Sequence, residues 1–308
     1  MVQPAAEPSP SSPVDPSRRH EQARTSPEAL ARRRGGVREG LDWLGRAPET
    51  KAGPLVRIIA MVFRFLAFGV VRLRHERLGS ENVPAAGGYI VVGAVHRGWM
   101  DPFLILNALP LQPRVWFLGS GPSAFSARWR EMLLHRVGGM LPVWRGGIGI
   151  DQHVASARAV VAAGGVFVLI PEGGVAGPPD RLAPFRFGSA LIALRTGGPI
   201  LPIAIAGSAE LYLGRRMATR LLNVTTAAEL LGPDWPTGGR LPYPGSRAEL
   251  DLAHRLTNRF ADLLGPAVAE LYPRTVDPPT RPRRLRGLTW LFLARPKPNR
   301  PAEPSSGI

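Results

Sequence analysis

His96 and Asp101 bracket a four-residue loop in Val95-His96-Arg97-Gly98-Trp99-Met100-Asp101-Pro102, between the apolar runs Tyr89–Val92 and Phe103–Leu106. A neutral imidazole can take a proton from a hydroxyl near pH 7, and a carboxylate behind it fixes the tautomer and stabilises the imidazolium. No serine stands beside the pair in sequence, so the hydroxyl could belong to a substrate. A second reading asks only for local structure. Asp101-Pro102 is also a good helix start, Asp as N-cap and Pro at the first helical position.

The residues downstream choose between these readings. Gly139-Met-Leu-Pro-Val-Trp-Arg145 is a strand with an arginine at its carboxyl end. Ile170-Pro171-Glu172-Gly173-Gly174 follows the strand Val166–Ile170, and Pro184-Phe185-Arg186-Phe187-Gly188-Ser189-Ala190 opens a helix. Pro199-Ile200-Leu201-Pro202-Ile203 begins the next strand. Ligands of open parallel sheets bind beyond the carboxyl ends of the strands, so His96, Arg145 and Glu172 could converge on one pocket.

The elements that must position them read as follows. Strands are predicted over Tyr89–Val92, Val115–Leu118, Met140–Trp144, Val166–Ile170 and Ile200–Ala206, short and β-branched runs that are apolar on both faces. Helices are predicted over Pro102–Leu109, Arg128–His135, Asp151–Ala163, Ser189–Thr196 and Leu250–Leu264, with Gly164-Gly165 capping the third. Strands apolar on both faces are buried on both, so the pattern is a largely parallel sheet with crossover helices in one α/β domain. Trp99 and Trp144 would line the apolar part of a cleft or pack in the core.

The flanks differ. Residues 1–50 are rich in Pro, Ser, Ala and Arg and read as a disordered tail, with a short helix over 37–46. Within 51–74 the apolar run Leu55–Leu73 contains Arg57 and Arg64. Each arginine near a bilayer centre costs about 2.5–3.5 kcal/mol, so a span is disfavoured. On a helical wheel Leu55, Ile59, Val62, Leu66, Val70 and Leu73 share one face and the two arginines the other. That is an amphipathic helix, lying on a membrane surface or packed on the domain. The catalytic domain is expected over 75–272, and 273–308 is a basic Pro-rich tail holding the apolar knot Leu288–Ala294.

Composition excludes several chemistries. With no cysteine there is no disulfide, thiolate metal site or cysteine nucleophile, and the six histidines show no metal-ligand spacing. No G-x-S-x-G elbow occurs, which argues against a hydrolase with its own serine. The formal charge is +16, almost all of the basic count being arginine, with Lys51 and Lys297 the only lysines. Such a surface favours anionic headgroups, phosphorylated substrates or nucleic acid. No helix-turn-helix or ribonucleoprotein pattern supports the last, so no nucleic-acid partner is expected.

The order and spacing of these blocks resemble the glycerolipid acyltransferase family, whose motifs run N-H-x-x-x-x-D, a glycine-to-arginine block, F-P-E-G-T-R-S and a V-P-V-like block. His96 and Asp101 match the first, Gly139 and Arg145 the second, Pro171, Glu172 and Gly173 the third, and Pro202 the fourth. Phe185, Arg186 and Gly188 resemble the family's F-K-x-G segment, and the resemblance spans roughly residues 72–215. Val95 departs from the family's asparagine, and Gly174-Val175 from its Thr-Arg, whose arginine is associated with the acceptor's phosphate. Arg145, Arg181 or Arg186 could supply that charge instead.

The resemblance implies an α/β domain with a mostly parallel, about seven-stranded sheet, preceded by a membrane-associating helix. It implies an O-acyltransferase in which His96 is the base and Asp101 its orienting carboxylate. Arg145, Glu172, Gly173, Gly174 and Arg186 would bind substrate, and backbone N–H groups around Gly173-Gly174 would face the developing oxyanion. The donor would be acyl-CoA or acyl-carrier protein, used as a co-substrate, with no cofactor and no metal. The acceptor would be a lysophospholipid, 1-acylglycerol-3-phosphate first, giving phosphatidic acid. Another lipid acceptor such as a glycolipid is the alternative, and a non-catalytic basic lipid- or nucleic-acid-binding protein is the reading from another class. The expected location is the cytoplasmic face of the cell membrane, peripheral or monotopic, against anionic lipid.

Overall fold

The computed structural model describes residues 51, 53–70, 72–120, 139–143, 149–174, 177–209 and 214–276. In chain order it forms α1 (Pro54–Arg64), a π-helical turn (Phe65–Val70), β1 (Arg74–Leu78), β2 (Tyr89–Ala94), α2 (Asp101–Ala108), β3 (Val115–Ser120) and β4 (Met140–Val143). Then come α3 (Ile150–Ala162), β5 (Val166–Leu169), α4 (Phe187–Thr196), β6 (Ile200–Ala206), β7 (Arg216–Leu221), α5 (Ala227–Leu231) and α6 (Arg247–Thr275). The predicted helix over Arg128–His135, the tails over 1–50 and beyond 276, and Trp144 and Arg145 lie outside the described residues.

The strands make a single seven-stranded sheet in the order β1-β7-β6-β2-β5-β3-β4. All neighbours are parallel except β6 and β7. The middle is held by β2, β5 and β6, every residue of which is buried. Their alternating side chains feed two separate cores. Tyr89, Val91, Val166, Val168, Leu201, Ile203 and Ile205 pack with Met100, Leu104 and Ile105 of the α2 segment. The opposite face is covered by α3, α4 and α6, whose Val160, Leu191, Leu256 and Phe260 are buried. Full burial of such a side chain contributes about 1.5–3 kcal/mol, so the two layers over-determine where β2, β5 and β6 end.

Two strands lie beyond the five that apolar patterning marks. β1 reads Arg-His-Glu-Arg-Leu and is half exposed, an edge strand whose charges discourage further pairing. β7 reads Arg-Met-Ala-Thr-Arg-Leu and pairs antiparallel with β6, register Ala204↔Arg220. α6 also runs past Leu264 through Gly265-Pro266 to Thr275. Ala267, Val268 and Leu271 continue the buried stripe of Leu256, Phe260 and Leu264, and that burial outweighs the hydrogen bond lost at Pro266.

Gly139 opens β4 with φ +57°, and a Cβ there would lie 2.2 Å from the carbonyl oxygen of Val115. Only glycine lets β4 start this close to β3. The glycine of the glycine-to-arginine block therefore has a backbone reason.

α1 seats on the domain through Phe63, stacked on Phe103 at 4.4 Å between ring centroids, and through Arg64. The Arg64 guanidinium donates to the carbonyl oxygens of Leu106 (2.8 Å) and Leu109 (3.3 Å) at the end of α2. Arg64 thus turns inward as a cap for α2 rather than sharing a solvent face with Arg57. The face left outside is apolar: Leu55, Ile58, Met61, Val62, Phe65, Leu66 and Val70 are each at least half exposed. Among the described residues no helix is long and apolar enough to cross a membrane.

Candidate active site

β2 ends at Ala94 and α2 begins at Asp101, so the residues between must cross from the sheet to the helix at the carboxyl edge. Asp101 shapes that crossing. Its Oδ2 accepts the N–H of Arg97 (2.8 Å), the N–H of Gly98 (2.9 Å) and the Nδ1–H of His96 (2.7 Å). Asp101 is therefore not the N-cap of α2, whose preceding residue is Met100. Its carboxylate folds back over its own loop instead. The side chain of Asp101 is fully buried and that of His96 is 18% exposed.

This geometry sets the tautomer. An ionised carboxylate only accepts, so the shared proton rides on Nδ1 and the Nε2 lone pair points away from Asp101. Four residues between His and Asp is the span at which the carboxylate at the head of the helix reaches both the ring and the loop's N–H groups. The arrangement can remove a proton from a hydroxyl at Nε2 and stabilise the resulting imidazolium.

Glu172 arrives from the end of β5, two residues after Ile170, and is buried. Its Oε2 accepts the backbone N–H of His96 at 2.5 Å, and its Oε1 accepts that of Ala183 at 2.8 Å. Both oxygens also receive Arg97, Nη1 at 2.7 Å and Nη2 at 3.1 Å. Arg97 donates further to the carbonyl oxygens of His96 (2.9 Å), Pro178 (2.7 Å) and Arg181 (2.7 Å). All five guanidinium N–H groups are engaged. Arg97 was not legible as a site residue from its type and place, although it directly follows the histidine.

Gly173 closes the turn after β5, its N–H donating to the carbonyl of Ile170 at 3.0 Å. Of the two glycines expected to face an oxyanion, this N–H is therefore occupied. Gly174 has no acceptor for its own among the described residues. Gly173 sits at φ +68°, and a Cβ there would lie 2.8 Å from Arg186 Cδ and 2.9 Å from Nε. Arg186 thus lies across the glycine, held by its own N–H donating to Pro171 O at 2.8 Å. Its side chain is exposed and has no carboxylate partner among the described residues. Arg181 points to solvent beside Asp180 at 3.5 Å. His96, Asp101, Glu172, Gly173, Gly174 and Arg186 therefore share one edge of the sheet, while Arg145 lies outside the described residues.

On the α1 side the loop continues into an aromatic file. Trp99 meets Phe103 edge-on at 5.8 Å, and Phe103 stacks on Phe63. Beyond them lies an apolar hollow of about 160 Å³ walled by Val56, Ile59, Ala60, Phe63, Phe103 and Leu106. Among the described residues no group of His, Asp and Glu side chains converges as metal ligands would.

Residues 75–206 match the Acyltransferase family, a span that contains His96, Asp101, Arg145, Glu172, Gly173, Gly174 and Arg186. Among solved structures, the chain is similar to the crystal structure of the 1-acyl-sn-glycerophosphate (LPA) acyltransferase PlsC from Thermotoga maritima. The TM-score is 0.51 at 20% identity, over 70% of this chain and 79% of that one, a likeness of fold. No curated protein matches the chain.

Proposed function

The chain is an acyltransferase by its domain over residues 75–206, and from that premise we propose that it acylates the free hydroxyl of a lysophospholipid. The observation that carries this reading is the 2.7 Å contact of His96 Nδ1 with the buried Asp101, which leaves the Nε2 lone pair facing away from the carboxylate as a base. The acceptor hydroxyl gives its proton to Nε2 as its oxygen attacks the thioester carbonyl of acyl-CoA or acyl-carrier protein. The C–S bond then breaks, and the thiolate leaves with the proton from the imidazolium. Asp101 stabilises the imidazolium between the two transfers. The ester forms directly, so no acyl-enzyme is required.

The acceptor we favour is 1-acylglycerol-3-phosphate, giving phosphatidic acid. Arg97 has no donor left for a phosphate and Arg181 leans on Asp180, so among the described arginines of the site Arg186, exposed beside Gly173, is the one we favour. A charge-assisted contact from Arg186 would replace the one lost where Val175 stands in the third block. That same substitution favours a second reading, a lipid acceptor without a phosphate monoester, such as a glycolipid. The hollow between α1 and α2 suits an acyl chain.

α1 supports contact with a membrane surface. Its exposed face is apolar, Arg57 is exposed beside it, and the chain carries +16. A helix of this kind lies with its apolar side among acyl chains and its cations among phosphates. The reading places the enzyme on the cytoplasmic face of the cell membrane. The deciding experiment is mass spectrometry after incubation with a panel of lysolipids, glycolipids included, and labelled acyl-CoA or labelled acyl-carrier protein. Labelled phosphatidic acid supports the first acceptor, a labelled glycolipid the second, and no labelled ester from any acceptor with either donor would end the acyltransfer reading.

A further inference from the structure

We propose that Arg97 is a positioning residue that makes the base and the acceptor-side loop a single rigid unit. The activity arm of this proposal rests on the acyl-transfer reading; its exchange arm does not. The peptide at His96 is gripped from both sides, its N–H by Glu172 Oε2 at 2.5 Å and its carbonyl by Arg97 Nη1 at 2.9 Å. Asp101 fixes the ring of His96, while Arg97 and Glu172 fix its backbone. The same two side chains hold a second loop at Pro178, Arg181 and Ala183. That loop leads directly into Arg186. A displacement of the loop must therefore displace His96, and the reverse.

Stability alone does not account for this pair. A buried ion pair loses so much hydration that apolar residues of equal volume commonly hold a fold as well or better. What apolar residues cannot do is bind three carbonyls and a carboxylate in one plane. Only the guanidinium fork reaches them all, and lysine, a point charge on a flexible stem, does not. Because every donor is engaged within the protein, Arg97 acts on the reaction only through His96 and the loop.

The test compares full-length wild type with Arg97→Lys and Arg97→Ala. In wild type, hydrogen–deuterium exchange across sub-denaturing urea should show residues 95–100 and 178–183 opening in one step. In folded Arg97→Lys, exchange should rise in both segments together. With lysophosphatidate and acyl-CoA, kcat should fall roughly 10- to 100-fold and acceptor KM should rise, with donor KM unchanged. Guanidinium added to Arg97→Ala should restore part of kcat where ammonium does not. Separate opening of the two segments in wild type, or wild-type kcat and acceptor KM in a folded Arg97→Lys, overturns the proposal. If Arg97→Ala does not fold, Arg97→Lys and the wild-type exchange decide it. If wild type transfers no acyl group to any acceptor, the acyl-transfer reading fails, and the exchange data still decide the coupling.

Discussion

Asp101 reaches backward to His96, meeting Nδ1 at 2.7 Å with the same oxygen that receives the N–H groups of Arg97 and Gly98. The carboxylate thus builds the loop and orients the base at once, which separates two kinds of substitution. Asp101→Asn keeps the size of the side chain, and its amide oxygen can still accept the two loop N–H groups, but it removes the negative charge that stabilises the imidazolium. Activity should fall about 10³- to 10⁴-fold, as when an amide replaces the carboxylate of a Ser-His-Asp triad. His96→Ala should fall at least as far, with a thermal midpoint near wild type. Steady-state rates and circular dichroism on both variants check this, and a folded His96→Ala at full activity would refute the role of His96.

Arg186 and Gly173 predict acceptor selectivity. Arg186→Ala should raise the KM for a phosphate-bearing acceptor about 10- to 100-fold, the effect of about 1.5–3 kcal/mol for a hydrogen bond to a charged group. A neutral lysolipid should be used as well as before. Gly173→Ala should raise the same KM, because its Cβ would lie 2.8 Å from Arg186 Cδ and push the side chain aside, while the strain of alanine at φ +68° should also lower kcat. Kinetics with paired charged and neutral acceptors make the comparison. An equal loss on both would count against a headgroup contact.

What could be read from residues alone follows from where water is excluded. β2, β5 and β6 announce themselves because both their faces are buried, so each is a continuous apolar run. β1 carries Arg, His and Glu because it is the exposed sheet edge, where apolar periodicity has no cause to appear, while β7 is mostly buried but masks it with Thr219 and two arginines. Gly265-Pro266 looks like a helix stop, and only the sheet beneath α6 carries the helix through it. At the site, His96, Asp101 and Glu172 are legible from type and spacing. Arg97 is not, because its role depends on the loop 178–183 arriving from far away in the chain. The inward turn of Arg64 likewise depends on where α2 ends.

His75 predicts an acid-sensitive fold. Its Nδ1 accepts from Asn107 Nδ2 at 2.8 Å, leaving Nε2–H to donate to Thr219 Oγ1 at 3.0 Å. Burial, helped by the nearby Arg77 charge, pushes the imidazole down to about 4 from its usual 6.5. The unfolded chain therefore takes a proton that the folded chain refuses. Stability present above pH 6.5 is lost as the pH falls towards 4, by about 3 kcal/mol for this shift. Chemical denaturation at pH 7 and pH 4 should show that loss. His75→Gln should flatten the slope, and an unchanged slope would show that another group carries it.

The outer face of α1 predicts how the enzyme meets lipid. Phe65 and Leu66, in the π-helical turn that continues α1, are 67% and 50% exposed. Moving two such side chains from water into an acyl-chain boundary contributes about 3 kcal/mol, or about a hundredfold in partition. Phe65→Ser with Leu66→Ser should therefore weaken binding to anionic phosphatidylglycerol vesicles by roughly that factor. Because both residues are exposed and lie outside the loop that holds His96, turnover of a short-chain, fully soluble acceptor should be unaffected. Vesicle co-sedimentation beside a soluble-substrate assay separates the two effects. Undiminished sedimentation of the double variant would move the membrane contact away from α1.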